Sequence, residues 1–394
     1  MTIGLLNWAD AENDPFTAFN AALKLEFEAC GRDVVVIPLG ATFRTALETA
    51  MARGLDYVLA WQGVGSAFAR KTGGPCIWDE LELPLFCIHG DHPCHMPPNH
   101  AAQSTHVRHW YGAASFARYA NRHFPRTHRA ETIDPVVVYR KARFLPPEGD
   151  WFVFPKNLDD VELTLQQWRE RFPRPLYTLL ADCVEAIRAA LRTGRPTDHH
   201  EVIDHVLAER DIGALVARIP GVDATSMAHS LHDELDKTYR NVLSEHVLDE
   251  LADVPLRVYG RGWERHAARG NPRHQFHPAG KAADNEHLYY SGWGIVDVAP
   301  AFDSVHDRTL RAIACRTSFL AACSWPWPAG VRRLSEGLLF NGALGNLRQL
   351  AEEVIADPQR HHARCVAFGR SHQEWRSHGD WLRTFDEALA TVEA

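Results

Sequence analysis

A chain of 394 residues with 45% apolar and 23% charged side chains is long enough for two globular domains and too apolar for extensive disorder. Its net charge of −8 argues against a protein that binds nucleic acid through its phosphates, and no apolar run is long enough to span a membrane. Residues 1–8 lack the basic and long apolar regions of a signal peptide and the eight cysteines form no CxxC pair, so we expect a cytoplasmic protein with reduced thiols.

Short apolar strands alternate with helices over the first 140 residues. The pattern predicts strands at Ile3–Trp8, Asp33–Ile37, Tyr57–Trp61 and Pro84–Ile88, and helices at Phe16–Cys30 and Phe43–Arg53. Continuous apolar strands separated by helices are typical of a parallel sheet that is covered on both faces. Because ligands bind beyond the C-terminal ends of such strands, we expect functional residues on the loops after Trp61 and Ile88.

The middle of the chain has the apolar periodicity of helices instead. We predict helices at Asp160–Phe172, Tyr177–Leu191 and Thr197–Ala208, and we interpret His199 and His200 as a solvated helix start.

Strand and helix alternation returns from Pro255. We predict strands at Leu256–Tyr259, Gly294–Val298 and Ser318–Ala322, and helices at His306–Cys315, Leu347–Asp357, Gln359–Arg370 and Trp381–Ala390. The sequence therefore predicts an α/β fold with two Rossmann-like domains, at residues 1–160 and 251–375. Residues 161–250 would form a helical segment between them, and residues 376–394 a helix that packs back on the first domain.

Two loops of the second predicted domain have features of a nucleotide site. Gly260, Arg261, Gly262 and Trp263 follow a strand, and glycines there let the backbone approach a ligand, although a plain tight turn gives the same pattern. Tyr290 is a candidate to stack on a nucleobase, with a place in the core as the alternative.

The predicted helix at residues 306–315 begins with a possible phosphate site. Ser304 and Asp307 have the spacing of a capping box, with Ser304 as the N-cap. His306, Arg308 and Thr309 would then lie in the first helical turn, where unpaired N–H groups and a cation can hold a diphosphate. A surface helix with a solvated arginine is the alternative.

Both loops carry a resemblance to a known family. The segment LRVYGRGW at residues 256–263 resembles the strand-to-loop motif of the CgeB-like glycosyltransferases. The segment DRTLRAIAC at residues 307–315 resembles their Arg-led helix, which ends in Ala-Cys-Gly before a strand. The resemblance covers about residues 240–372, and more weakly the strand exits of the first half. It implies a GT-B architecture, in which the C-terminal domain holds the donor nucleotide and the N-terminal domain binds the acceptor across a cleft.

Two positions depart from that family pattern. Arg311 stands where the family has an acidic residue, which bears on the contact with the donor ribose or sugar. Arg316 stands where the family has glycine, and predicts a changed helix end because glycine favours the left-handed conformation there.

The densest polar cluster of the first half, HGDHPCH at residues 89–95, follows a predicted strand. The resemblance implies an acceptor-side site here, with Asp91 as the first candidate for a general base and His89 or His92 as the second. Gln62 and Ser66, on the preceding strand exit, are candidate acceptor-side residues. Histidines three residues apart also fit a metal site, but Pro93 interrupts any helix that would align them, so we expect no metal.

These observations predict a glycosyltransferase that moves a sugar from a nucleotide-activated donor to an acceptor hydroxyl. We expect a metal-independent, inverting enzyme with no cofactor besides the donor substrate. The acceptor remains open among glycan, lipid, protein and small molecule. The alternatives are a nucleotide-sugar epimerase, a nucleotide-sugar-binding protein without catalysis and, third, a metal-dependent hydrolase.

Overall fold

The chain folds into two compact units. The computed structural model describes residues 1–8, 15–69, 74–100, 104–124, 130–134, 149–194, 198–210, 223–280, 284–298, 303–322, 329–340, 344–375 and 378–392. The first unit comprises Met1–Arg140 and Gln373–Ala394, and the second comprises Lys141–His372.

A six-stranded parallel sheet forms the centre of the first unit. Its strands are β1 (Thr2–Trp8), β2 (Asp33–Leu39), β3 (Leu55–Trp61), β4 (Leu85–His89), β5 (Val107–Tyr111) and β6 (Ala130–Thr132). They pair in the order β2-β1-β3-β4-β5-β6, always in parallel. All five residues of β4 are buried, as expected for a central strand with both faces covered.

Helices cover this sheet. They are α1 (Pro15–Ala29), α2 (Phe43–Ala52), α3 (Ile77–Glu80), α4 (Pro97–His100), α5 (Ala114–His123) and the last helix of the chain, α14 (His378–Val392). The Phe385 ring of α14 stacks on Phe86 of β4, with 5.7 Å between centroids, and Trp381 Nε1 donates a hydrogen bond to Asp134 O at 2.9 Å. Apolar side chains of α14 therefore complete the core of the first unit.

The second unit has a parallel sheet of the same size. Its strands are β7 (Phe152–Pro155), β8 (Leu256–Tyr259), β9 (His274–His277), β10 (Gly294–Asp297), β11 (Phe319–Ala322) and β12 (Leu339–Phe340). They pair in parallel in the order β12-β11-β10-β7-β8-β9. Counted from β7 as the first strand, this is the order 3-2-1-4-5-6 of the Rossmann fold.

Eight helices of the described chain accompany this sheet. They are α6 (Val161–Arg171), α7 (Arg174–Arg192), α8 (His199–Ala208), α9 (Ala224–Glu250), α10 (Asp307–Cys315), α11 (Ala329–Ser335), α12 (Leu347–Ala356) and α13 (Pro358–Trp375). The helices α6 to α9 lie between β7 and β8 in the chain, and their apolar faces share one core with both strands. The helical middle of the chain is thus part of the second unit.

The two parallel sheets confirm the predicted α/β class with two Rossmann-like domains. The strand β7 is absent from the sequence prediction, although its apolar run is as long as that of β8, which the sequence does predict. Within the described part of the chain, every helix is too short or too polar to cross a bilayer. Seven cysteines are free thiols, and Cys323 lies outside the described residues.

Candidate functional site

The sheet order of the second unit marks one edge as a binding site. Strands β7 and β10 are neighbours although the chain runs from each of them toward opposite edges of the sheet. Ligands of such sheets bind beyond the carboxyl ends of the strands at this switch point. Lys156 directly follows β7, and Asp297 is the last residue of β10.

Asp297 is a buried carboxylate that faces the start of helix α10. It is 1% exposed, and it accepts hydrogen bonds from Thr309 N at 3.1 Å, Thr309 Oγ1 at 2.8 Å and His306 Nδ1 at 2.9 Å. Burial opposes its ionisation, but the charges and hydrogen bonds of His306, Arg308 and Thr309 outweigh this and lower the pKa of Asp297 to about 2. Asp297 is therefore ionised and complements the positive end of the helix.

This arrangement corrects the predicted capping box. His306, not Ser304, is the N-cap of α10, and the helix begins at Asp307. With His306 as the N-cap, Thr309 is the third residue of the helix, and its N–H, which an N-cap side chain ordinarily accepts, donates instead to the carboxylate of Asp297 on β10. Affinity for a phosphate at this edge must consequently come from side-chain cations more than from the helix terminus.

Three such cations lie around the switch point. Burial together with repulsion from Arg308 and Arg240 lowers the pKa of Lys156 to about 7, and attraction to Asp297 and Asp236 opposes that shift. The Arg308 side chain is 29% exposed and that of Arg240 is 24% exposed, whereas the two carboxylates are at most 1% exposed. The groups that a ligand can reach are thus mainly cationic.

Arg240 is held by a buried carboxylate on the same helix. Its Nε lies 2.7 Å from Asp236 Oδ2, and His199 Nε2 lies 2.8 Å from Asp236 Oδ1. His199 and His200 are each 3% exposed, so their interpretation as a solvated helix start is wrong. Asp236 is 0% exposed, and a buried carboxylate needs hydrogen-bonding or charged partners. Both rings lie beside it in the interior.

The glycines of the GRGW loop are explained by the backbone of the neighbouring loop. A Cβ on Gly260 would lie 2.0 Å from Lys156 O, and one on Gly262, whose φ is +89°, would lie 1.6 Å from Leu158 O. Trp263 is 2% exposed, and its Nε1 donates to Lys156 O at 2.6 Å. The loop therefore fixes the position of Lys156, and a direct contact of its residues with a donor stays a prediction.

The other predicted donor contacts lie around the same unit. Arg261 is exposed on the loop after β8, Ser304 is buried before α10, and Tyr290 is half-buried at the end of a 3₁₀ helix. Arg311 NH2 pairs with Asp307 Oδ2 at 3.0 Å along α10. The structure brings His306, Arg308 and Thr309 together on Asp297; for the remaining residues, a contact with donor stays a prediction.

A cavity of about 850 Å³ opens at this carboxyl edge as well. Residues that follow β7 and β8 line it, among them Asp160 and Gly262, together with Glu234, Thr238 and Asn241 of α9. Its carboxylate and amide groups can accept hydrogen bonds from hydroxyl groups.

In the first unit, the structure joins two residues that the sequence placed on separate loops. Gln62 Nε2 donates to Asp91 Oδ2 at 2.9 Å, and Asp91 N donates to Gln62 Oε1 at 3.4 Å. Gln62 has a φ of +54°, and Asn99 Nδ2 donates to its carbonyl oxygen at 2.8 Å. Ser66 is buried and donates to Asn99 O at 2.7 Å, so it supports this loop from within.

The two candidate histidines of the first unit are interior residues. His89 is 1% exposed and its Nε2 lies 2.7 Å from His109 Nδ1. His92 is 2% exposed, and its Nδ1 accepts a hydrogen bond from Cys94 N at 3.2 Å. Asp91 is half-buried, and among the three candidate bases it is the one with appreciable exposure.

Comparisons with known proteins identify no family for this chain. No family model matches the chain, and no curated protein does, so the CgeB-like resemblance stays a prediction. Among solved structures, HepE of Anabaena in complex with UDP-glucose is similar at 11% identity, with a TM-score of 0.44 over 99% of this chain and 100% of that one. A structure of HepE with UDP and glucose matches with the same values.

Sequence reasoning missed four charged residues of the second unit, namely Lys156, Asp236, Arg240 and Asp297. Lys156 follows an unrecognised strand, and Asp236 and Arg240 lie inside a long helix. The sequence does contain one signal for Asp297, an acidic residue at the end of an apolar run. Burial of such a residue is costly without a partner, so its position indicates a buried, paired carboxylate.

Proposed function

We propose that the protein is a glycosyltransferase that uses a nucleotide-activated sugar, with the donor diphosphate bound by Lys156, Arg240 and Arg308. The observation that carries this proposal is the cationic cluster at the switch point of a Rossmann-ordered sheet. Diphosphates of nucleotides bind at this position in such folds. Two arginines supply planar donor groups that suit phosphate oxygens.

The same cluster supports a reaction without a metal at the diphosphate. Negative charge develops on the departing nucleoside diphosphate when its bond to the sugar breaks. Fixed cations at that place stabilise the transition state more than the ground state. Hydroxyl groups of the ribose or of the sugar fit the acceptors that line the 850 Å³ cavity.

We further propose Asp91 as the general base of an inverting transfer. Such a reaction needs one base that removes the proton of the acceptor hydroxyl as the diphosphate leaves. Gln62 fixes the orientation of the carboxylate through Oδ2. The burial of His89 and His92 supports Asp91 over either ring. This assignment gives the first unit the acceptor side.

Thermal denaturation with a panel of nucleoside diphosphates and nucleotide sugars, in the presence of EDTA, tests the donor assignment. A ligand at a hundredfold excess over its dissociation constant should stabilise the protein by about 2.7 kcal/mol. Arg308→Ala should lose about half of this gain or more, whereas Arg348→Ala, an exposed arginine paired with Asp253, should keep it. If no nucleotide stabilises the wild-type protein, the donor assignment is wrong.

Product analysis separates the alternatives. An epimerase converts the stabilising nucleotide sugar without an acceptor, and a binding protein leaves it intact with every acceptor offered. A transferase releases nucleoside diphosphate in step with a glycosylated acceptor.

A further inference from the structure

Four polar side chains share one face of the first sheet. Cys87 and His89 are two residues apart on β4, and His109 and Tyr111 are two residues apart on β5. The strands pair with Cys87 opposite His109 and His89 opposite Tyr111. Because side chains alternate along a strand, these four groups point to the same side and are direct neighbours.

Three of them converge at metal-binding distances. The Cys87 sulfur and one ring nitrogen each of His89 and His109 all lie within 4.8 Å of one another. Cys87 is 0% exposed, and both histidines are 1% exposed. A thiol and two imidazoles thus meet in the interior of a sheet core, where polar groups need strong partners.

The protonation states suit a metal. His89 Nε2 and His109 Nδ1 are 2.7 Å apart, and a hydrogen bond between them requires one of the two nitrogens to carry no proton. Neutral imidazole is the form that ligates metals.

We propose that Cys87, His89 and His109 form a binding site for one Zn²⁺ ion. One sulfur and two nitrogen ligands are a donor set typical of zinc. Zn–N bonds of about 2.0–2.1 Å in tetrahedral geometry place the two nitrogens about 3.3 Å apart, so binding requires them to separate by about 0.6 Å from their 2.7 Å contact. The ion joins β4 to β5 immediately before the loop that carries Asp91.

Neighbouring rings hold the ligands in place. The Tyr111 ring stacks on His89 with 4.6 Å between centroids, and Tyr111 Oη lies 2.7 Å from His100 Nδ1. Tyr111, fixed by this hydrogen bond, packs against the His89 ring and restricts its orientation. This site differs from the sequence pattern of His89, His92 and His95. It shares His89 with that pattern, but its other two ligands are Cys87 of β4 and His109 of β5.

Cobalt substitution of the full-length protein tests the site without any donor or acceptor. After chelation and dialysis, the wild-type protein should bind one equivalent of Co²⁺ with a thiolate-to-cobalt charge-transfer band, and Zn²⁺ should displace it. Cys87→Ser should lose the band. Cys183→Ser, which alters a fully buried cysteine of the second unit, should keep it. His109→Gln should weaken Zn²⁺ binding by about a hundredfold or more.

X-ray absorption on the zinc-loaded wild-type protein gives a readout that needs no variant to fold. One sulfur and at least two imidazole nitrogens around zinc support the site. A shell without sulfur, a charge-transfer band that survives Cys87→Ser, or the absence of one-to-one binding overturns it. Each of these results is independent of whether the protein binds nucleotide.

Discussion

The ammonium group of Lys156 should titrate near neutral pH. Burial disfavours its charge, Arg308 and Arg240 repel it, and Asp297 and Asp236 offset only part of this, so its pKa falls from 10.5 to about 7. One pKa unit corresponds to about 1.4 kcal/mol. The charged form of Lys156 is therefore disfavoured in the folded protein by several kcal/mol, which a bound phosphate would relieve.

Lys156→Gln should remove a specific pH dependence of stability. Between about pH 7 and 9, folded wild-type protein releases the Lys156 proton, while the unfolded chain, with a lysine pKa of about 10.4, retains it. The unfolded state then binds more protons, so this contribution to stability increases with pH. Over that window the free energy of unfolding of wild-type protein should rise by about 2 kcal/mol relative to the variant.

The small number of lysines makes a direct measurement practical. Only six lysines occur in the chain, so ¹³C-labelled lysine gives few Cε resonances, and Lys156→Gln identifies the one in question by its loss. Lys237, whose side chain is 52% exposed, serves as the reference resonance. Urea unfolding at several pH values, followed by a probe in the second unit, measures the stability difference.

A titration midpoint of Lys156 above about 9 would refute this reasoning, because the ammonium would then be hydrated or fully paired. Saturating nucleoside diphosphate should raise the midpoint, since an anion stabilises the ammonium. Nucleotide affinity should correspondingly fall by up to about tenfold per pH unit above the midpoint of the free protein. A midpoint that nucleotide binding leaves unchanged would place the ligand away from Lys156.

Three further substitutions test the proposed general base, the proposed diphosphate site and the loop that follows β8. Asp91→Asn should reduce transfer by at least about a hundredfold while donor affinity and melting temperature stay unchanged, and survival of transfer would remove Asp91 as the base. Arg308→Ala should weaken calorimetric nucleotide affinity by about ten- to a hundredfold, from the loss of a charged hydrogen bond, with Arg348→Ala as the unaffected control. Gly262→Ala should destabilise the second unit by about 3 kcal/mol, from a clash and a strained φ. Gly270→Ala, where a Cβ meets open space, should be nearly neutral, and equal denaturation midpoints would contradict the packing described.

Local patterns in the sequence predict the fold class, but they do not predict the cationic cluster of the second unit. Apolar runs such as Leu256–Tyr259 mark strands by themselves, and parallel α/β order follows from their alternation with helices. The pairing of β7 with β8 spans about 100 residues of helical chain, and no local pattern records such a contact. The sequence alone therefore does not identify Lys156 as a site residue; the sheet order does.

The same limit applies to the first unit. The sequence predicts the loops of Gln62 and Asp91 at the correct strand ends, because a polar residue after an apolar run is a local signal. Their mutual hydrogen bond depends on the adjacency of β3 and β4, which is a property of the sheet. The sequence does not identify His109 as a candidate ligand, because only the pairing of β4 with β5 places it beside Cys87 and His89.

The two departures from the CgeB-like pattern have limited physical consequences. Arg316 adopts φ +51° and ψ +43°, and hydrogen bonds from Thr317 N to Ala312 O and from Arg316 N to Ile313 O close α10 in the arrangement usual for a terminal glycine. The expected change of the helix end is therefore wrong, and arginine there costs only about 1–2 kcal/mol of backbone strain. Arg311 pairs with Asp307 one turn earlier. Neither arginine is among the partners of Asp297. Both departures therefore leave the pairing of Arg308 with Asp297 intact, and the proposed donor binding depends on that pairing.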